Sequence, residues 1–191
     1  MKKIFIIAAA GLVSLLSAFN PNTPSVWTVD KAHAQIGFSI THNMLSDVEG
    51  SFKSFDATIT APSDDFAGST IVFTADAASL STDTESRDKE VKSPELLDVE
   101  KFPKIIFSST SVTKITASTY KITGNLTLHG VIKQVILDAS VRTGVGMHNK
   151  PAAGFKISGI INRIDFGITK YPAVMIGDEI TLNANGEFDE E

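Results

Sequence analysis

Charged side chains at two places in the sequence could take part in binding or catalysis. Arg87 and Asp88 are adjacent in a charged stretch, and Arg163 and Asp165 stand two residues apart in an apolar run. Residues i and i+2 of a strand share one face, about 6 to 7 Å apart, so Arg163 and Asp165 could pair. Such a pair either locks the strand register or meets a polar headgroup, and we expect the structural role. The charges around Arg87 are typical of a solvated helix face.

Motifs for metal, cofactor or nucleophilic chemistry are missing from the sequence. His33 and His42 are nine residues apart, which places them on opposite faces of a regular strand. His129 fits a tight turn and His148 a polar loop. Asp165-Phe166-Gly167 spells a kinase triplet, but the glycine-rich loop and catalytic-loop signatures that accompany it are absent. We therefore expect no metal, no cofactor and no catalytic residue.

The elements that must position these residues are mostly strands, because apolar residues recur with a period of two, as in Ala34, Ile36, Phe38 and Ile40. Thr, Val, Ile and Phe are dense in these segments, whereas Gly, Asn, Asp, Ser and Pro fill the gaps. The predicted strands cover residues 26–41, 49–60, 69–77, 104–114, 119–128, 131–143, 154–165 and 178–188.

One helical insertion interrupts this pattern at residues 84–98. Ser93 as N-cap and Pro94 at the first helical position predict a helix start there. The preceding residues, Ser-Arg-Asp-Lys-Glu-Val, could form another short turn of helix. Phe102-Pro103 then returns the chain to an extended conformation.

A tight turn at His129-Gly130 sets the register of one hairpin, because Gly and His tolerate positive φ. On one face this turn pairs residues 128 with 131, 126 with 133, 124 with 135 and 122 with 137, and that face is apolar. The face must cover either a solid core or a hollow.

Eight amphipathic antiparallel strands form either a two-sheet sandwich or a closed barrel, which removes exposed edges. Gly159, Ala184 and Gly186 recur on the predicted inward faces, where an eight-stranded barrel with small residues can leave room for one ligand. The alternative is that these glycines mark bulges or close approaches of a neighbour. We predict an all-β fold, a lipocalin-like eight-stranded antiparallel β-barrel with a short helical insertion.

The N-terminus predicts export. Lys2 and Lys3 precede an apolar run, Ile4 to Leu16, that is short for a membrane span and is followed by small residues. We assign residues 1–18 to a cleaved signal peptide, 19–25 to a short leader and 26–188 to one domain. A retained membrane anchor is the alternative. The absence of cysteine suits a bacterial periplasm, and secretion from the cell is the second expectation.

The charge balance bears on the partners. The formal net charge of −5 becomes more negative once Lys2 and Lys3 are removed, which argues against nucleic acid as a partner. We expect no stable membrane insertion after signal cleavage. A homodimer through strand edges or cavity mouths is left open.

Six blocks follow one another along residues 26–188: WTVDKAHAQIGFSITH, VEGSF, ESRDKEVKSPELLDVEKFPKIIF, YKITGNLTLHGVIKQVIL, GFKISGIINRIDFGI and IGDEITLNANGEF. In this order they resemble the YceI-like family of bacterial periplasmic lipid-binding proteins, and the resemblance covers residues 26–188. The resemblance implies a lipocalin-like barrel whose elongated apolar cavity holds a polyisoprenoid, an isoprenoid quinone or a fatty-acid amide. It places the family's Arg-Asp pair on Arg87 and Asp88. Glu90 stands where members commonly have His, and Val91 replaces a usual Leu.

From this resemblance and the strand pattern we predict a binding protein, not an enzyme, that holds a long-chain isoprenoid or acyl lipid for transport, storage or sequestration. Arg87 and Asp88 are expected near the entrance. Two alternatives stay open: a lipid-modifying enzyme using His33 or Asp165, and a solid-cored interaction module. The predicted lining is Phe38, Ile40, Phe73, Phe107, Leu126, Phe155, Ile157, Ile161 and Leu182.

Overall fold

The computed structural model describes residues 23–63, 65–146 and 149–191. The predicted signal peptide, residues 1–18, and His148 lie outside the described residues. In the part of the chain that is described, no helix has the length and hydropathy of a membrane span.

Ten strands and one α-helix make up the described chain. The helix, α1, covers Glu85–Val91, and 3-10 helices cover Ala77–Ser79 and Arg163–Phe166. The strands are β1 (Ser25–His42), β2 (Ser46–Phe52), β3 (Phe55–Ala61), β4 (Thr70–Asp76), β5 (Leu80–Ser81), β6 (Lys104–Lys114), β7 (Thr119–Leu128), β8 (Val131–Val145), β9 (Pro151–Asn162) and β10 (Ile176–Glu190).

The sheet closes on itself. Its order is β10-β9-β8-β7-β6-β4-β3-β1, and β1 pairs again with β10 along most of its length. β2 and β3 both pair with β1, one after the other along its length, so together they occupy the place of one barrel strand. β4 pairs with β3 and β5 pairs with β2, so β4 and β5 together occupy the next place. The predicted eight-stranded antiparallel barrel with a short helix is therefore confirmed.

The hairpin between β7 and β8 has the predicted register. His129 has φ 51° and Gly130 φ 73°, the two left-handed conformations that a two-residue hairpin of the primed type requires. Leu128 pairs with Val131, and the register continues to Thr119 with Ser140. His129 also donates from Nδ1 to the Phe166 carbonyl, 3.1 Å away, and its ring packs edge-on against Phe102. The hairpin is thus fastened to two neighbouring loops.

A bulge interrupts β1 early in its course. Asp30 pairs with Glu187 and Ala34 with Gly186, so Lys31, Ala32 and His33 have no partner on β10. The Asp30 carboxylate holds the bulge, because it accepts from the Ala32 N–H at 2.8 Å and binds His33 Nδ1 at 2.6 Å. After the bulge, Ile36, Phe38 and Ile40 face the interior.

The helix predicted to start at Ser93 is wrong. The α-helix is α1, and residues 92–101 form successive turns instead. The Ser93 carbonyl accepts from the N–H groups of both Leu96 and Asp98, and Asp98 has φ 46°, which ends the helical path after one turn. The segment before it, Ser-Arg-Asp-Lys-Glu-Val, which the sequence allowed as a short turn of helix, is part of α1.

A glycine on β7 allows an aromatic ring to cross the interior. A Cβ on Gly124 would lie 2.3 Å from the Phe107 ring and 2.6 Å from the Ser108 carbonyl oxygen. Phe107 is buried and the carbonyl is backbone, so neither can move at little cost.

We expect Gly124→Ala to lower the free energy of unfolding by about 1–3 kcal/mol, since the added methyl group overpacks the core. Urea denaturation measures this. Gly154→Ala on β9 is the matched control, because nothing lies within 4 Å of its Cβ position. Equal stability of the two variants would contradict the packing described for Phe107.

Candidate functional site

The barrel interior contains a cavity of about 370 Å³. This volume lies in the range of about 300–1,000 Å³ that is usual for small-molecule sites. All ten strands contribute to its wall, because the inward residues of each strand alternate with outward ones. The lining includes Val29, Ile36, Val48, Phe52, Phe55, Ile59, Ile71, Leu80, Ile105, Ile122, Leu128, Val135, Leu137, Ile180, Ala184 and Phe188.

Every apolar residue predicted for the lining faces this cavity, and so does Arg87. The apolar set is Phe38, Ile40, Phe73, Phe107, Leu126, Phe155, Ile157, Ile161 and Leu182. Asp88 does not line the cavity, because its carboxylate turns toward Thr82. That these side chains bind a ligand stays a prediction.

Aromatic rings close one end of the cavity. The Phe155 and Phe188 rings form its floor, with centroids 5.2 Å apart, and Phe66 packs on Phe155 from below at 5.1 Å. Trp27 packs edge-on against Phe66 at 5.0 Å. Edge-to-face contacts of this kind are favourable beyond the area they bury. A guest cannot enter through this layer without unpacking it.

Polar side chains gather at the opposite end, which we call the mouth: Thr82, Arg87, Glu90 and Tyr171. Arg87 donates from Nε to Thr82 Oγ1 at 2.8 Å and from Nη2 to the Thr82 carbonyl at 2.6 Å. The Tyr171 hydroxyl donates to the Glu90 carboxylate. This bond stabilises the protonated phenol and raises the pKa of Tyr171.

Asp88 supports the mouth from outside the cavity. Its Oδ1 accepts from both the N–H and the hydroxyl of Thr82, each at 2.6 Å. These bonds favour the ionised form and lower the pKa of the Asp88 carboxyl. Because Thr82 also receives the Arg87 bonds, Asp88 positions Arg87 indirectly.

Arg163 is buried, with 2 % of its surface exposed, yet it does not pair with Asp165. β9 ends at Asn162, whose side chain accepts from the Ile164 N–H and starts a 3-10 helix. Strand alternation therefore stops before Asp165, which lies exposed on the surface. The predicted ion pair of Arg163 with Asp165 is wrong, because Arg163 pairs with Asp178 instead. The predicted strand over residues 154–165 is also wrong at its end, because the strand stops at Asn162.

The Arg163 guanidinium ties the loop between β9 and β10 to the barrel. Its N–H groups reach six acceptors between 2.8 and 3.0 Å away. Five of these acceptors are backbone carbonyls, so Arg163 stabilises the loop through hydrogen bonds to the backbone as well as through an ion pair. The acceptors are the Asp178 carboxylate and the carbonyls of Ile168, Lys170, Tyr171, Ile176 and Gly177.

The small residues on inward faces play two different parts. Ala184 and Gly186 line the cavity, as the barrel argument expected. Gly159 does not, because a Cβ there would lie 2.4 Å from Leu137 Cδ2. The close-approach alternative thus holds for Gly159. Gly186 lines the cavity but is also close to a neighbour, since a Cβ there would lie 3.0 Å from Ala34 Cβ.

One group of potential metal ligands occurs in the described residues, although the sequence pattern gave no sign of it. Asp30, His33 and Glu187 bring ligand atoms within 4.8 Å of one another at the β1 bulge. His33 is largely exposed and already bonded to Asp30, which raises the pKa of the His33 imidazole. The neighbouring carboxylates of Glu187 and Asp189 raise it further. None of the three lines the cavity.

Glu90 and Tyr171 were missed by sequence reasoning. Tyr171 comes from a loop with no periodic signal and has φ 70°, a left-handed conformation that its residue type does not predict. Glu90 looked like one charge among several on a helix. Their 81-residue separation hides the contact.

Comparison with known proteins agrees with this architecture. The profile of the YceI-like domain matches residues 27–188. The chain belongs to the YceI-like family. A UPF0312 protein of Enterobacter is 38% identical over 175 residues, covering 88% of each chain. A solved YceI protein of Campylobacter jejuni is 33% identical with a TM-score of 0.73, over 86% of this chain and 97% of that one.

A more distant structure shares the fold. It is described as a polyisoprenoid-binding domain from Saccharophagus degradans, with 12% identity and a TM-score of 0.65. The superposition covers 86% of this chain and 98% of that one.

Within this YceI-like barrel, the third and fifth of the six sequence blocks supply residues of the mouth and of the loop beside it. Arg163 and Phe166 begin and end the 3-10 helix beside the mouth, and Gly167 caps the helix with φ 78°. Glu90 bonds to Tyr171 and so places a carboxylate at the mouth of this chain.

We expect Arg163→Lys to lower the free energy of unfolding by about 2–4 kcal/mol. The lysine ammonium has three N–H donors, whereas the arginine guanidinium has five, so some of the buried acceptors would lose their hydrogen bonds. Urea denaturation of both proteins gives the difference. Lys121→Ala is the control, since Lys121 forms an exposed pair with Asp138 that should be worth at most about 1 kcal/mol. A loss for Arg163→Lys no larger than for the control would contradict the structural role of Arg163.

Proposed function

We propose that this protein binds one long-chain amphiphilic lipid, with its hydrocarbon tail in the barrel cavity and its head at the mouth. The observation that supports this most is the shape of the interior: an apolar hollow closed by aromatic rings at one end and edged with polar groups at the other. A polyisoprenoid, an isoprenoid quinone or a fatty-acid amide has this division into tail and head. The role is to carry, store or sequester the lipid.

The tail supplies most of the affinity in this proposal. Each methylene moved from water into the cavity contributes about 0.8 kcal/mol, so ten to twenty offer roughly 8–16 kcal/mol before costs. Immobilising the lipid costs roughly 4 kcal/mol or more. A water-exposed polar contact at the mouth adds about 0–1 kcal/mol. The head therefore tunes which lipid binds rather than whether one binds.

The mouth favours a head that can both donate and accept hydrogen bonds. Arg87 is a donor only, while Glu90 is an acceptor when ionised, and both face the cavity. A strongly anionic head would meet the Glu90 carboxylate, and a cationic one would meet the Arg87 guanidinium. A neutral polar head, such as an amide or a quinone, suits this pair best.

Binding without chemical conversion fits the arrangement better than catalysis. His33 and Asp165, which an enzyme would use as acid or base, both lie outside the cavity lining. A general acid or base must come within hydrogen-bond reach of the reacting group. The Saccharophagus domain, which shares this fold and is described as polyisoprenoid-binding, supports a binding role in this proposal.

The place of action in this proposal is the periplasm or the secreted fraction. Residues 1–18 carry the signal, 19–25 form a leader, and the barrel starts close to residue 26. Support comes from the order of basic, apolar and small residues at the N-terminus and from the absence of cysteine.

We expect Ala184→Phe to weaken binding of a dansyl-labelled fatty acid by about tenfold or more, because the added ring occupies space that the tail needs. Ala184 lines the cavity on β10. Fluorescence titration gives the affinity, and the urea midpoint reports whether the barrel stays folded.

Thr181→Phe on the same strand is the matched control, since Thr181 is exposed and points outward. It should bind the probe like the unmodified protein. Unchanged binding by a folded Ala184→Phe variant would overturn the proposal that the tail occupies this cavity.

A further inference from the structure

Four large apolar side chains stand exposed beyond the mouth, on two adjacent loop tips. Met44 and Leu45, in the turn between β1 and β2, are 72% and 88% exposed, and Val174 and Met175, before β10, are 60% and 44% exposed. We call these four residues the tip patch. Clustered exposed apolar residues of this kind mark interaction sites more often than isolated ones do.

The two tips are joined to each other and to the cavity rim. The Asn43 N–H donates to the Met175 carbonyl at 2.8 Å. His42 pairs with Ile176 one step further in, and both of these residues line the cavity. The tip patch is therefore the outward continuation of the cavity wall.

The backbone holds the patch outward. Asn43 and Met44 have φ 51° and 56°, left-handed conformations that are unusual for a methionine. The Leu45 N–H closes the turn on the His42 carbonyl at 3.1 Å. On the second tip, the Met175 N–H donates to the Pro172 carbonyl at 2.8 Å. Both tips are ordered turns that present their side chains to solvent.

Neither tip carries a formal charge. Residues 43–46 and 171–177 contain no Asp, Glu, Lys or Arg, and the charges that flank them in sequence are Asp47, Lys170 and Asp178. The Asp47 carboxylate is occupied by the Thr41 hydroxyl at 2.8 Å. Burying the tips in an apolar phase would thus desolvate no formally charged side chain of either tip.

We propose that the tip patch docks the mouth onto the surface of a lipid bilayer, so that the amphiphile passes between bilayer and cavity without crossing bulk water. This inference rests on the proposed function, because a lipid cargo is what makes the bilayer the source. Tyr171, at the base of the second tip, has the amphipathic ring that favours the headgroup level.

The geometry favours a bilayer over a protein partner. Two convex tips insert into a fluid interface without needing a complementary surface. Four side chains on two turns are also too small a contact for a stable dimer, which buries roughly 1,200–2,000 Å² in total.

Flotation with neutral phosphatidylcholine vesicles tests the proposal, using residues 19–191 so that the apolar residues 4–16 do not bind by themselves. We expect the double variant Met44→Ser/Leu45→Ser to bind vesicles about tenfold less than the unmodified chain. Ile115→Ser is the matched control, because Ile115 is 59% exposed on the β6–β7 turn at the closed end. It should float like the unmodified chain.

Titration with the dansyl-labelled fatty acid in vesicle-free buffer separates this proposal from the proposed function. The double variant should bind the probe normally, since neither residue lines the cavity. If the unmodified chain binds the probe normally but does not float with the vesicles, the docking proposal is overturned and the proposed function stands. Equal flotation of the double variant, or a dimer in light scattering that the double variant abolishes, would overturn it as well.

Discussion

Pairing of β1 with β10 is the constraint on which the rest of the structure depends. It turns an open sheet into a closed ring of eight strands, and closure at that number gives an interior that side chains can only just fill. Here they leave about 370 Å³ unfilled. The bulge at residues 31–33 belongs to the same contact, since it sets which residues of β1 face inward beyond Asp30.

The two ends of the barrel have different tasks. At the floor, Phe66 and Phe155 seal the interior with packed rings. At the mouth, the hydrogen bonds of Arg163 hold the loop that carries Tyr171, while Thr82 and Asp88 hold Arg87 in place. The apolar interior is thus reached from one side, past groups that can hydrogen-bond. In the proposed function, the wall supplies most of the affinity for the lipid and the mouth selects its head.

The period-two pattern of the sequence predicted many of the strands and one hairpin correctly. β6 and β7 have the predicted bounds, and the hairpin at His129-Gly130 has the predicted register, because period-two patterns and turn chemistry are local. Arg163 and Tyr171 were not readable in the same way. Arg163 is held by acceptors 5 to 15 residues further along the chain in an irregular loop, and Tyr171 by Glu90, 81 residues away. Such contacts leave no periodic pattern in the sequence. Gly159 shows the same limit, since its space is closed by Leu137 and the Ile136 carbonyl on the neighbouring strand.

The central claim is that the barrel's own residues leave the interior incomplete and that a lipid completes it. Denaturing solvent extraction of protein purified from the exported fraction, followed by mass spectrometry, tests this most directly. The account predicts about one amphiphile with a long hydrocarbon tail per folded chain, and its absence from Ala184→Phe protein. Folded, unmodified protein that yields no such molecule, and that also fails to take one up from a lipid extract, would contradict it.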